Sequence, residues 1–159
     1  RGKTKCLRCV FVEKEAEQAA ALMASFSEAQ RAAVVRGSQS INLVLGPGQD
    51  GMVLEPEGLP ASGMDAAQKE QLLALISARI GILNDDDFAA AMTDIEANID
   101  QTYFAWFGAP DDAVNSYWRV TGPTLLLEFS PQGSDGGNHL HNMYRHPTND
   151  YGAAWVAAR

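Results

Sequence analysis

Two histidines separated by a single residue are the part of this sequence best suited to chemistry. His139 and His141 lie in the polar run 138–152, which holds all three histidines of the chain. In an extended strand, residues i and i+2 leave the same face about 6.5–7 Å apart. Imidazole is a ligand for zinc, copper and iron, so two imidazoles on one face can converge on one cation. The spacing therefore predicts a transition-metal site, with copper, zinc or iron as the cofactor.

Glu128 is a candidate to complete this site. It is the single acid within the apolar run 125–129, and a buried carboxylate requires a charge partner, a metal or a proton. If the strand with His139 pairs with this run, Glu128 and the imidazoles form a two-histidine, one-carboxylate set with positions open for water or substrate. Glu128 is then the candidate catalytic base for metal-activated hydrolysis, whereas oxidation would need iron or copper. The alternative is a structural ion pair between Glu128 and Arg119 or Arg145.

His146 is a candidate third imidazole ligand. It precedes Pro147, which favours an extended backbone at His146. The alternative is a histidine in a surface loop.

The two cysteines form a Cys-x-x-Cys motif, Cys6-Leu7-Arg8-Cys9. This spacing is typical of a redox dithiol or of half a zinc site, and neighbouring cations lower the pKa of a thiol. The alternatives are a local disulfide or two unused thiols.

The order of the predicted elements indicates an α+β fold, with N-terminal helices packed on a C-terminal antiparallel sheet. Apolar residues at helical spacing predict helices over 13–36, interrupted at Ser27, then from Asp65 to Gly81 and over 86–99. Alternating and aromatic segments predict strands over 103–108, 117–121, 124–130 and 138–144. We therefore expect residues 1–12 to be a loose N-terminal segment and residues 13–159 to form a single domain.

The charge of the chain narrows the range of partners. A net charge of −8 argues against binding to a nucleic-acid backbone, which needs clustered Lys and Arg. No apolar run approaches the roughly 20 residues that span a bilayer, so membrane insertion is not expected. The small-molecule or protein partner is not identified, and a homo-oligomer is left open.

Arg1 stands where an initiator Met is expected, so we expect a processed form or a fragment.

A second functional hypothesis rests on the aromatic residues. The stretch Tyr103–Phe107 together with Trp118 can form the surface of a non-catalytic binding or assembly module, and a large exposed aromatic patch would favour this function. The alternative assigns these side chains to the core.

Several segments resemble the DUF3500 family of bacterial proteins of unknown function. They comprise 42–51, 56–59, 81–85, 102–106, 122–124 and the block from 138 to 155, and they cover about the last three quarters of the chain. Many members look secreted, so the resemblance implies a secreted or periplasmic protein; it implies no activity. The family pattern near the end resembles Asn-His-x-His followed by Tyr-Arg-Asp-Pro-Thr-Asn-Asp-Tyr-Gly. This sequence keeps His139 and His141 but has His146 at the position of that Asp.

Overall fold

The structure, a computed structural model, describes residues 7–49, 51–132 and 139–156, without the side chains of residues 7–13, 151, 154 and 155. The helices are α1 (Leu7–Ser25), α2 (Glu28–Val34), α3 (Ala66–Ile80), α4 (Asp85–Ala97) and α5 (Ala153–Val156). The strands are β1 (Val35–Gly37), β2 (Leu59–Pro60), β3 (Tyr103–Phe107), β4 (Tyr117–Gly122), β5 (Leu125–Pro131) and β6 (Leu140–Arg145). Short 3-10 helices occupy Ala61–Gly63, Ile99–Gln101 and Asp150–Gly152. The α+β prediction is confirmed.

Side-chain caps determine where the helices begin. Ser27 and Asp65 each accept a hydrogen bond from a backbone amide three residues later, and the glutamine at that position reaches back to the cap. These two capping boxes satisfy amides that have no partner within the helix. Asn84 caps α4 by accepting from the amide of Asp87. The predicted interruption at Ser27 is confirmed. Helix α1 begins at Leu7 and so includes Cys9, whereas Cys6 lies outside the described residues.

The strands form one mixed sheet in the order β1-β3-β4-β5-β6. The antiparallel pairs β3–β4, β4–β5 and β5–β6 confirm the predicted C-terminal sheet. Two short strands were not predicted: β1 pairs in parallel with one end of β3, and β2 pairs in antiparallel fashion with the other end. The prediction of helix up to Arg36 was wrong at its end, because pairing with the edge of β3 outweighs the local helical pattern.

Helices pack on one face of the sheet, which we call the helical face. Its core combines apolar side chains of α1 and α3, such as Leu22 and Leu75, with alternate residues of β3, β4 and β5. Trp106 and Trp118 are fully buried there, and Trp118 stacks on Phe129 with ring centroids 4.9 Å apart. The tryptophans are therefore core residues. They are not available for the hypothesised aromatic binding surface. Within the described part of the chain, no helix is long and apolar enough to cross a bilayer.

The opposite face of the sheet lies under an irregular segment, residues 41–49 and 51–58, which we call the covering segment. Gly58, at the end of this segment, lies directly against β3 and has a φ of +97°. An added Cβ there would lie 2.1 Å from the carbonyl oxygen of Phe104 on β3. Only glycine allows this backbone conformation at so short a distance. We call this side of the sheet the covered face.

Candidate functional site

The two histidines of the His-x-His motif meet at the start of β6. His139 directly precedes the strand, and His141 is opposite Ser130 of β5. The pairing of this strand with the Glu128 strand, which the three-ligand hypothesis required, is therefore present. The two Nε2 atoms are 2.8 Å apart, and the ring centroids are separated by 4.7 Å. The side chains converge, as the alternation of strand residues predicts, with His139 exposed and His141 half-buried.

A separation of 2.8 Å between two ring nitrogens has a definite chemical meaning. In a neutral pair, one Nε2 carries a proton and donates it to the lone pair of the other. A cation can take the place of that shared proton, provided that the donor ring moves its proton to Nδ1. Metal–nitrogen bonds of about 2.0 Å place two ligands about 3.3 Å apart in a tetrahedron and about 2.8 Å apart at adjacent square-planar positions. The observed distance is that of an N–H···N hydrogen bond, and it also places both nitrogens within reach of a single ion.

A cavity of about 300 Å³ opens beside His141. One wall is the covering segment from Asn42 to Gln49, and Gln132 lies at the end of β5. The carboxamides of Asn42, Gln49 and Gln132 can each donate and accept hydrogen bonds. The imidazole of His141 therefore faces a space large enough for water or a small ligand, with polar groups around it.

Glu128 anchors the covering segment to the sheet. Its carboxylate is 1% exposed and accepts hydrogen bonds from the amides of Val44 at 2.8 Å and Leu45 at 2.9 Å. It also accepts from the hydroxyl of Tyr117 at 2.6 Å. Three donors on two carboxylate oxygens form a set of charge-assisted bonds, which compensate for the burial of the charge. We call this arrangement the Glu128 anchor.

Tyr117 remains a donor in the Glu128 anchor. Burial, followed by the charge of Glu128 and the hydrogen bond to it, raises the pKa of the Tyr117 hydroxyl far above its usual range. The phenol is therefore protonated at any physiological pH.

Two further contacts fasten the same segment. The hydroxyl of Ser130 donates to the carbonyl of Ile41 at 3.2 Å, and Arg145 is 3.5 Å from the carbonyl of Leu45. Ser130 is also the cross-strand partner of His141. The wall of the cavity and the imidazole pair are thus positioned by the same two strands, β5 and β6.

The arginines considered as partners of Glu128 form ion pairs with other acids. Arg119, beside Glu128 on β4, donates to Glu57 of the covering segment. Arg145 binds Asp150 through both Nε and Nη2. These ion pairs lie on the covered face and hold the segment after β6 as well as the covering segment.

His146 lies apart from the other two histidines. It follows β6, whereas His141 is near the beginning of that strand, so about 13 Å of strand already separates His141 from Arg145. Its Nδ1 accepts from the amide of Thr148 at 3.3 Å, so it shapes the following turn. The prediction of His146 as a third ligand is not supported by this placement.

The structure does not join Glu128 to the imidazoles as one ligand set. Among the described residues, no group of three or more His, Cys, Asp or Glu side chains is placed to hold one ion. The carboxylate of Glu128 instead points to the covering segment and accepts hydrogen bonds from two of its backbone amides. Sequence reasoning missed this role because the acceptor and its two amide donors are more than eighty residues apart, as the separation of 84 between Val44 and Glu128 shows.

These features define an α+β domain with a helical face, a polar covered face and a paired-imidazole site at one end of the sheet. Residues 2–153 match the family described as "protein of unknown function (DUF3500)", which is nearly the whole chain. The chain therefore belongs to the DUF3500 family, and the resemblance seen in the sequence is confirmed. No curated protein and no solved structure matches it.

Proposed function

We propose that this domain binds a transition-metal ion (copper, zinc or iron) through the Nε2 atoms of His139 and His141. The observation that carries the proposal is the 2.8 Å distance between the two Nε2 atoms. Two imidazoles supply part of a coordination shell, and the cavity beside His141 leaves room for water or a small ligand at the other positions.

In this proposal Glu128 has a structural function. It was predicted as a catalytic base or third ligand, but three protein donors already occupy its two oxygens. Releasing any of them would leave a buried donor without a partner. Glu128 therefore acts through the covering segment, whose stretch from Asn42 to Gln49 forms the wall of the cavity.

The test is a titration of metal-stripped protein with Cu²⁺ and with Zn²⁺. Calorimetry measures the binding of each ion, and electron paramagnetic resonance reports the ligands of bound copper. All samples carry Cys6→Ser and Cys9→Ser, because thiolates bind the same metals. We expect one equivalent of Cu²⁺ with nitrogen hyperfine coupling. His139→Ala and His141→Ala should each weaken binding at least about tenfold, a loss of 1.4 kcal/mol or more.

His146→Ala is the matched control, since it removes the same side chain beyond the far end of β6 and should leave affinity unchanged. Because protons compete with a metal for imidazole, affinity should also fall as the pH is lowered. Equal stoichiometry and affinity in the parent and in the His139→Ala/His141→Ala double variant would refute the proposal.

A further inference from the structure

A second cavity lies at the other end of the covered face. It has a volume of about 550 Å³, within the range of about 300–1,000 Å³ that is typical of small-molecule sites. The covering segment at 53–56 forms one wall, and the β4–β5 turn at Gly122–Pro123 lies across from it. We call this cavity the tyrosine groove, after Tyr103, its aromatic lining residue.

The lining of the tyrosine groove has an apolar body and an acidic rim. Pro56, Pro123 and Pro147 provide rigid apolar walls beside the ring of Tyr103. Both charged side chains at the groove, Glu55 and Asp100, are acids, and no Lys, Arg or His lines it among the described residues.

The two acids differ in how far their charge is already balanced. Asp100 is paired with Lys69, whose Nζ lies 2.6 Å from Oδ1. Glu55 is exposed, and no ion pair holds it within the described part of the chain. Glu55 is therefore the acid with charge available to a ligand.

A buried hydroxyl at the groove also lacks a partner. Thr121 lines the groove and is 3% exposed, and its Oγ1 has no hydrogen bond within the described structure. Leaving a buried hydroxyl without a hydrogen bond is destabilising. Because Thr121 lines the groove, a donor group bound there is the candidate partner for this hydroxyl.

We infer that the tyrosine groove binds a small molecule with a protonated amine on an apolar body. The apolar part packs against the prolines, and the ammonium group lies near the ring of Tyr103, the carboxylate of Glu55 and the hydroxyl of Thr121. The face of an aromatic ring attracts a cation, and a nearby carboxylate adds to this attraction. The net charge of −8 favours the approach of a cation over that of an anion.

Three probes of similar shape test the inference: 2-phenylethylamine, 2-phenylethanol and 3-phenylpropionate. Each is titrated into isotopically labelled protein without added metal, and amide chemical shifts are followed. We expect the amine to move the amide resonances of 53–55, 121–122 and 148. The alcohol should bind at least about threefold more weakly, and the carboxylate should cause no localised shifts. Added salt should weaken the amine only.

Glu55→Gln removes the unpaired charge with little change of shape and should weaken amine binding about two- to fivefold, as expected for one exposed charge. Glu70→Gln on the exposed surface of α3 is the matched control and should have no effect. Tyr103→Leu should weaken the amine more than the alcohol. Equal binding of the three probes, no binding of any, or shifts centred elsewhere would each overturn the inference.

Discussion

Replacing Glu128 with glutamine tests whether the covering segment is held by a buried carboxylate. Glutamine keeps the size of the side chain but offers one oxygen acceptor where glutamate has two. In its better orientation the amide oxygen keeps the bonds from Val44 and Tyr117, and the new NH₂ group faces the amide of Leu45, a donor against a donor. One charge-assisted hydrogen bond is then lost, and the other two become neutral bonds of roughly half the strength.

The expected cost follows from these three bonds. Losing the bond to Leu45 costs about 1.5–3 kcal/mol, and weakening the other two adds to it. Relief from burying a charge offsets part of the loss. We expect the free energy of unfolding to fall by about 2–3 kcal/mol, which for a domain of this size lowers the midpoint of thermal unfolding by about 4–12 °C. Tyr117→Phe removes one donor and leaves the charge, so it should cost less.

Urea unfolding gives the change in stability, and hydrogen exchange shows where it arises. In Glu128→Gln the amides of Val44 and Leu45 should exchange faster by a larger factor than the amides of β4, because local release of the segment precedes unfolding of the sheet. Glu70→Gln, an exposed substitution of the same kind, is the control. A stability within about 0.5 kcal/mol of the parent, with protection at Val44 and Leu45 unchanged, would refute the anchoring role.

Two further substitutions test other parts of the fold. Gly58→Ala should destabilise the domain by at least about 2 kcal/mol in urea unfolding, because its Cβ would meet the carbonyl of Phe104. Gly48→Ala is the control, since φ is +85° there and an added Cβ would have nothing within 4 Å. Equal losses of stability in the two variants would contradict the steric argument. Glu15 is buried beside Arg79, and burial, opposed by that arginine, raises its pKa from 4.5. Between the ordinary pKa of a glutamate and the raised pKa of Glu15, the folded state binds more protons than the unfolded chain, so stability should fall as the pH rises through that range. Glu15→Gln should flatten this dependence in unfolding measured at stepped pH, and parallel curves would show that Glu15 does not cause it.

Local patterns predicted most of the regular elements. The caps at Ser27 and Asp65 and the helices that follow them depend on residues three or four positions apart, which a sequence displays directly. The β4–β5 hairpin is likewise a local feature, joined by the turn at 123–124. The His139–His141 contact was predictable because the alternation of a strand alone places both rings on one side.

The covering segment was not predictable in this way. Its described residues form no helix or strand. Its hydrogen bonds to the sheet join residues far apart in the sequence, such as Val44 and Glu128, which are 84 positions apart. The position of Glu128 in an apolar strand indicated a buried carboxylate that needs partners. A metal, an arginine or two backbone amides can each meet that need. Local reasoning therefore identified the important residue and could not choose among its partners.

The two faces of the sheet now have different physical tasks. Apolar packing on the helical face supplies stability, whereas buried polar groups on the covered face contribute less net energy than apolar ones would. What the polar groups add is position, since a carboxylate that accepts from two successive amides fixes which residues of the covering segment lie over it. Because His139 and His141 belong to the β6 side of the site and not to that segment, release of the Glu128 anchor would remove a wall of the cavity without moving the strand that carries the imidazoles. In the proposed metal site, affinity and ligand access would thus be separable properties, the first set by the residues at β6 and the second by the covering segment.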